Sequence, residues 1–324
     1  MFRNLLLPVL LAFTFVLGAC TPNPVQTPAA AALAPTAASK PTEAPVFPLT
    51  LKDGKGREVT LETAPARIVS LSPSNTEILF AVGAGNLVVG DTKYCDYPAE
   101  AKGLPKVGGF TGKSISVESI LALKPDLVLA ADSGQETVIE ALEQSKVKVL
   151  ALKAQSFEEV YANLKLAGQI TGHAQEAAMV VDTMQARVKA VSDKVAGIPA
   201  EKRPALFWEV WDEPLMTAGP NTFAGQMIRM AGGTSIFADV SKDYPEVSVE
   251  EVVKRNPAYI LGPDSHGDKL IAKELAARPG WEQIDAVKQN KIFLIDGNSS
   301  SRPGPRLVDA LEAIAKALHP DLFK

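Results

Sequence analysis

Between residues 174 and 196 the chain runs without a glycine or proline, and Ala177, Val181, Met184, Val188, Val191 and Val195 recur at alternating spacings of four and three. That period draws one apolar stripe along a helix and leaves Asp182, Gln185, Lys189, Asp193 and Lys194 off it. Gly172 precedes the segment, and Gly197 and Pro199 stop it. At about 1.5 Å per residue the helix is about 35 Å long, the width of a small domain. It reads either as a coiled-coil strand or as a spine joining two lobes.

On both sides of it short apolar runs alternate with helical periods. Asp53-Gly54 between 47–51 and 57–61 predicts a hairpin. Strands are predicted at 68–71, 87–90, 127–130 and 147–151. Helices are predicted at 75–82, capped by Ser72 or Ser74, and at 117–123, 136–144 and 157–170. Beyond the central helix the pattern restarts, with strands at 206–211, 259–261 and 292–295 and helices at 223–231, 249–254, 270–277 and 306–318. Such alternation predicts mainly parallel sheets with helices on both faces.

The two halves share an internal repeat. Residues 116–130 and 248–262 align without a gap, matching Ser116-Val117-Glu118 to Ser248-Val249-Glu250 and Pro125 to Pro257. Each copy reads as an N-capping serine, an acid in the first turn, a short helix, a proline turn and a buried strand. Two lobes of related construction favour the spine over the coiled coil, with the seam packed against its own lobes. The fold class is therefore α/β, two doubly wound lobes joined by one long helix.

Composition narrows the class. With 324 residues, 46% of them hydrophobic, there is apolar surface for two modest domains. A formal net charge of −4 without a basic stripe gives no sign of nucleic acid as a partner. Cys20 and Cys95 have unlike neighbourhoods, which argues against a disulfide framework. Arg3 precedes a mostly apolar run at 5–16, too short for a comfortable membrane span and right for a signal-peptide core. It ends in Leu17-Gly18-Ala19-Cys20, which resembles the bacterial lipoprotein signal. That likeness implies removal of 1–19 and diacylglycerol on the Cys20 sulfur. The alternative is an ordinary secretory signal with a chance cysteine; the small residues before Cys20 and the tether after it favour lipidation. Residues 20–48, rich in Pro, Ala and Thr, cannot bury enough apolar surface to fold and read as a tether. The mature chain is expected to be anchored to a membrane without spanning it.

Several stretches then fall in a telling order: Ser72-Pro73-Ser74-Asn75 within 67–77, Cys95-Asp96-Tyr97-Pro98, Leu123-Lys124-Pro125-Asp126 within 123–128, Tyr244-Pro245-Glu246 within 244–248, and Ser301-Arg302-Pro303-Gly304 within 301–306. Together they resemble the substrate-binding proteins of ABC importers that carry cobalamin, haem and iron–siderophore complexes, the cobalamin-binding branch most of all. The likeness covers roughly 67–323. It implies an N-terminal lobe at 49–156, connecting helices at 157–197 with the spine at 174–196, a C-terminal lobe at 198–324, and a ligand cleft between the lobes. It also implies a monomeric carrier rather than an enzyme, with no catalytic residues, metal or resident cofactor. Its partners would be a permease with its ATPase subunits. Its place would be extracytoplasmic and lipid-anchored, on the periplasmic side if the cell has an outer membrane. Glu118 and Glu250, read alone, are favourable charges at helix N-termini, about 0.3–1 kcal/mol each. In the family, one exposed glutamate on each lobe docks onto arginines of the permease, and these two fall at those positions.

In open α/β sheets ligands sit outside the carboxyl ends of the strands. This nominates Ser72, Pro73, Tyr94, Tyr97 and Phe110 in the first lobe, and Trp211, Tyr244 and Arg302 in the second. Trp208 shares a strand face with Leu206 and Val210 and is expected in the core. Phe110, Trp211 and Tyr244 offer flat apolar surface to a macrocycle. Phe110 stands where the resembling cobalamin binder has a tryptophan and haem binders often have an iron-ligating tyrosine, and phenylalanine cannot ligate iron. Tyr94 and Tyr97 keep haem open. A carboxylate-rich ferric siderophore would want several arginines, and only Arg302 is placed in the cleft. A corrinoid is the expected cargo, with haem or a ferric siderophore as the alternative.

Other chemistries fare worse. His173, His266 and His319 lie far apart without ligand spacing to acids, and each is most simply a surface or loop residue. Gly83-Ala84-Gly85 follows a helix and precedes a strand, the reverse of the nucleotide fingerprint. Cys95 has no evident histidine partner as a nucleophile. A two-lobed tetrapyrrole or metal enzyme, such as a chelatase, is the alternative from another class. One continuous helix bends less readily than strands of loop, so a small lobe closure is expected.

Overall fold

The computed structural model describes residues 46–266 and 269–324. The expected signal peptide (1–19), the lipidation site Cys20 and the tether as far as residue 45 lie outside the described residues. An antiparallel hairpin, β1 (Leu49–Lys52) and β2 (Glu58–Leu61), comes first. Its turn is closed by the buried Asp53 carboxylate, which accepts from the N–H groups of Lys55 and Arg57 at 2.9 Å each and pairs with the Arg57 guanidinium.

The first lobe follows as β3 (Ile68–Ser70), α1 (Pro73–Ala81), β4 (Val88–Gly90), α2 (Val117–Ala122), β5 (Leu127–Ala131), α3 (Glu136–Gln144) and β6 (Lys148–Leu152). Its four strands are all parallel, in the order β4-β3-β5-β6. Helix α4 (Phe157–Thr171) ends at Gly172, whose φ of 78° a side chain would disfavour, and the spine α5 (Ala174–Val195) starts at once. The second lobe comprises β7 (Ala205–Asp212), β8 (Leu215–Thr217), α6 (Phe223–Met230), β9 (Thr234–Ser235), α7 (Val249–Arg255), β10 (Tyr259–Pro263), α8 (Ala272–Ala276), α9 (Asp285–Lys288), β11 (Ile292–Ile295), α10 (Gly297–Ser301) and α11 (Leu307–Leu318). Its sheet runs β11-β10-β7-β8, with β9 beside the start of β7. The β7–β8 pair is antiparallel, so this lobe is mixed rather than wholly parallel.

Strands with both faces covered read as continuous apolar runs because each alternate side chain meets a different core. Ile68, Leu127 and Leu129 face an inner core, while Val69, Val128 and Ala130 face the outer helices of the first lobe. In the second lobe Leu206 and Trp208 point inward and Phe207 outward, so Trp208 is a core residue as expected. The inner cores of the two lobes are one, and the spine runs through it. Ala177, Val181, Met184, Val191 and Val195 are buried, and Val188 is half-buried against the same cluster. At about 1.5–3 kcal/mol for each large apolar side chain removed from water, this seam contributes substantially to holding the lobes together. Arg187, on the spine's flank, bonds Glu312 at 2.9 and 2.7 Å and Asp309 at 2.7 Å, fixing α11 against it. The seam is therefore satisfied within the chain. Among the described residues no helix is long and apolar enough to cross a membrane.

Candidate functional site

In the first sheet the chain passes from β3 to β4 on one side and then to β5 on the other, so the order reverses between β3 and β5. The crevice beyond the carboxyl ends of those strands is where such a sheet opens for a ligand. A cavity of about 480 Å³ lies there, lined by residues 72–75, Tyr94, Phe110, residues 131–133, Leu152 and Ala154 of the first lobe and residues 301–303 of the second. A neighbouring cavity of about 650 Å³ shares Ala154, Ser301 and Pro303 with it and continues past Gln155, Asn221, Gln226, Arg229, Asp243 and Tyr244. The two form one cleft between the lobes.

Ser72 is buried and committed to its helix: its hydroxyl accepts from the Asn75 N–H at 3.2 Å, capping α1. Pro73 follows in the first turn. Tyr94 (49% exposed) and Phe110 (41%) hold half-exposed rings on the cleft, and Tyr244 (50%) does so in the neighbouring cavity. Together they give the cleft exposed aromatic surface that a flat ligand could cover. Arg302 also lines the smaller cavity, but its guanidinium is already engaged. Its Nη1 bonds Asp96 at 2.5 Å and Glu77 at 3.1 Å, and its Nη2 reaches the Tyr94 carbonyl at 3.3 Å.

Two nominated residues sit elsewhere. Tyr97 lines a separate cavity of about 330 Å³ with Glu77, Phe80 and Arg306, and the Arg306 guanidinium stacks over its ring at 4.2 Å. Trp211 is half-exposed at the end of β7 with its indole N–H donated to the Glu213 carbonyl at 2.8 Å, and it lines none of these three cavities. Tyr97 thus packs against an arginine of the other lobe, and Trp211 bonds within its own turn.

The Phe110 loop is shaped from behind. Gly108 sits at φ 128°, and a Cβ there would collide with the Ser114 carbonyl. Gly109 donates to that carbonyl at 2.7 Å, and Thr111 and Ser114 cap each other across a short 3-10 turn. Gln135, fully buried, ties the whole rim: its Nε2 donates to the Leu71 and Phe110 carbonyls at 2.8 Å each, and its Oε1 accepts from the Ala131 N–H at 2.8 Å. One amide therefore fixes the ends of β3 and β5 and the loop between them. The residues nominated from the sequence do not include Gln135.

The second residue missed is Glu77. On α1 and 2% exposed, it accepts from Arg306 Nε at 2.9 Å and Nη2 at 2.6 Å as well as from Arg302, which joins the lobes through charge. Burial works to raise the neighbouring Asp96, but the Arg302 hydrogen bond and the Arg302 and Arg306 charges outweigh it and hold that carboxyl below its ordinary value.

Glu118 and Glu250 are exposed in the first turns of α2 and α7, behind matching caps: Ser116 accepts from the Ser119 N–H and Ser248 from the Glu251 N–H, at 3.1 Å each. Cys95 is buried with its sulfur 3.2 Å from the hydroxyls of Thr76 and Thr92, and burial chiefly raises its pKa, so it is a packed thiol rather than a nucleophile. His173 and His319 are half-buried, not surface residues as expected. Among the described residues no three His, Cys, Asp or Glu side chains group closely enough to hold a metal.

Known proteins resemble this chain in sequence and fold. The family model described as "Periplasmic binding protein" matches residues 68–298. The Bacillus subtilis ABC transporter substrate-binding lipoprotein YvrC, itself uncharacterized, is 36% identical over 284 residues, 86% of this chain and 88% of its own length. A cobalamin-binding protein of Halobacterium salinarum is 30% identical over 282 residues, 84% of this chain and 74% of its own. Among solved structures, a possible iron-binding (periplasmic solute-binding) protein from Staphylococcus epidermidis superposes with a TM-score of 0.69 at 33% identity, over 79% of this chain and all of the other.

Proposed function

The chain belongs to the periplasmic binding protein family and is the extracytoplasmic substrate-binding component of an ABC importer, and from that premise we propose that its cargo is a corrinoid of the cobalamin type. Such a component is a carrier and not an enzyme, which removes the chelatase alternative, and it delivers its cargo to a permease driven by ATPase subunits.

One observation carries the choice of cargo. The aromatic cavity holds Tyr94 and Phe110, its arginine is bound to Glu77 and Asp96, and Asp132 on its wall makes no ion pair among the described residues. A haem with two propionates, or a carboxylate-rich ferric chelate, would bring negative charge to a cavity that Asp132 lines and to which, among the described residues, the engaged Arg302 is the one cation contributed. A corrinoid brings a large, nearly neutral ring edged with amides, whose N–H groups suit Asp132 and Ser74. The likeness to a cobalamin-binding protein supports the same choice. Tyr94 supports a second reading, since a half-exposed phenol on the cleft is an iron ligand in waiting. Titrating the purified protein with cyanocobalamin, haemin and a panel of ferric hydroxamates separates the two. Stoichiometric saturation by cyanocobalamin is expected, and haemin bound in its place, with a tyrosinate–iron absorption band, refutes the corrinoid.

The same proposal covers attachment and delivery. Diacylglycerol on Cys20 holds a monomer at the membrane, the tether lets it reach the permease, and Glu118 and Glu250 dock onto permease arginines, one from each lobe. Closure on the cargo is small, because one core and one continuous helix span both lobes.

A further inference from the structure

The larger cavity of the cleft has a character that a nearly neutral ring does not use. Its walls are more polar than those of the aromatic cavity, with Gln155, Asn221, Gln226, Arg229 and Asp243 beside Tyr244. Gln226 braces it by donating to the carbonyls of Gln155 at 2.6 Å and Asn221 at 2.9 Å, so the two lobes share this wall. Arg229, in the last turn of α6, differs from the arginines around it. Arg302 and Arg306 are both bound to carboxylates, whereas Arg229 gives one N–H to the Pro220 carbonyl and makes no ion pair among the described residues. A guanidinium has five donors, so most of this one remains available to the cavity. Asp243 lines the same space without pairing to it.

A planar, permanently charged fork with unused donors fits a phosphate or carboxylate better than any neutral group. The two cavities meet at Ala154, Ser301 and Pro303, so a single ligand reaches both. We infer that the larger cavity is an anion-receiving subsite in which Arg229 holds a phosphodiester side arm of the cargo, so that the protein prefers corrinoids carrying a nucleotide arm over those lacking one. This rests on the corrinoid reading above and adds a selectivity that the aromatic cavity by itself does not provide.

The test is the affinity of the purified full chain for cyanocobalamin and for dicyanocobinamide, which lacks the phosphodiester arm, in the wild type and in Arg229→Gln and Arg229→Lys variants. The wild type is expected to bind cyanocobalamin about tenfold more tightly, the strength of one charge-assisted contact at a partly exposed site. Arg229→Gln should bring the two affinities to within about twofold by weakening cyanocobalamin alone, Arg229→Lys should keep part of the preference, and added salt should erode it in the wild type. Equal weakening of both corrinoids by Arg229→Gln, or no change in either, overturns the subsite. If the wild type binds neither corrinoid, the cargo reading fails by itself, and haemin against its dimethyl ester puts the same question to Arg229. A preference for the free acid that Arg229→Gln abolishes upholds the anion subsite; equal binding of the two, or binding of none of the four compounds, overturns it.

Discussion

Replacing Glu77 by glutamine tests whether charge, as well as the shared core, holds the lobes together. The carboxylate is 2% exposed and accepts three hydrogen bonds from two arginines of the other lobe, at 2.6, 2.9 and 3.1 Å. Glutamine keeps one acceptor oxygen but turns an N–H₂ toward guanidinium donors, leaving Arg306 without its bidentate partner. Removing one member of a buried pair costs roughly 3–5 kcal/mol. Arg302 keeps Asp96, and Arg306 keeps the Tyr97 ring and a distant Asp296 at 3.8 Å, so the lower end applies and a loss of about 3 kcal/mol is expected. Urea unfolding measures it as a lower midpoint at unchanged slope. Arg306→Met should cost a similar amount, and the double variant should cost clearly less than the two together, because the uncompensated charge is then gone. Scattering from the single variant should show a larger radius of gyration without cargo. A Glu77→Gln protein as stable and as compact as the wild type refutes the clamp.

Gln135→Leu should remove the three bonds that shape the cleft rim and strand two carbonyls and an N–H, costing about 3 kcal/mol in urea unfolding and accelerating hydrogen exchange over residues 108–115. Asp91 is buried beside Lys106 at 2.6 Å with one oxygen unpartnered, and burial pushes its pKa up to about 6. The fold therefore favours its protonated form, and its contribution to stability is greatest below the unfolded value near 3.8 and is lost as pH rises through about 6. Burial lowers the pKa of His319, whose contribution moves the other way below its ordinary value, so Asp91→Asn against wild type is the clean comparison. The variant should gain on the wild type by at most about 3 kcal/mol between pH 4 and pH 7, and parallel profiles would contradict the assignment. Reversing Glu118 and Glu250 together to lysine should abolish uptake in cells while leaving cargo affinity of the purified protein intact; lost affinity would sink the docking role.

What the sequence disclosed, and what it hid, follows from how far each residue's partners lie along the chain. The spine, α3, α4 and β11 were legible because each carries its own period, caps or apolar run over enough residues to stand out. Strands β8 and β9 and helices α9 and α10, five residues or fewer each, have too few positions to show a period. The predicted helix at 270–277 shortened to α8 because Ile271 is extended and forms its cap. Of the residues nominated from the sequence, Ser72, Pro73, Tyr94 and Phe110 line the smaller cavity of the cleft, a placement that strand ends, as local features, disclose. Gln135 reaches partners 64 and 25 residues away, and Glu77 is joined to arginines 225 and 229 residues on. No local pattern marks such residues. A polar residue in a helix-start position looks the same whether it caps, points to water or holds a lobe.

Arg302 ties cargo choice to lobe geometry. Its side chain lines the aromatic cavity and also completes the clamp on Glu77 and Asp96, so a ligand that needs its charge must compete with two carboxylates for it. Drawing Arg302 away would leave Glu77 with Arg306 alone and Asp96 without its partner, a loss of a charge-assisted bond at each, about 1.5–3 kcal/mol at the buried Glu77 and less at the half-exposed, solvent-screened Asp96. An anionic cargo in that cavity would have to recover this from its own contacts and would loosen the lobes as it bound. A nearly neutral ring stacked on Phe110 and Tyr94 leaves the clamp closed. Its one negative group can be met at Arg229, in the adjoining cavity, where no ion pair has to be broken. On the corrinoid reading proposed above, separating the ring from the anion across two cavities would let the protein read charge on its cargo while the lobes, and with them Glu118 and Glu250, keep their places.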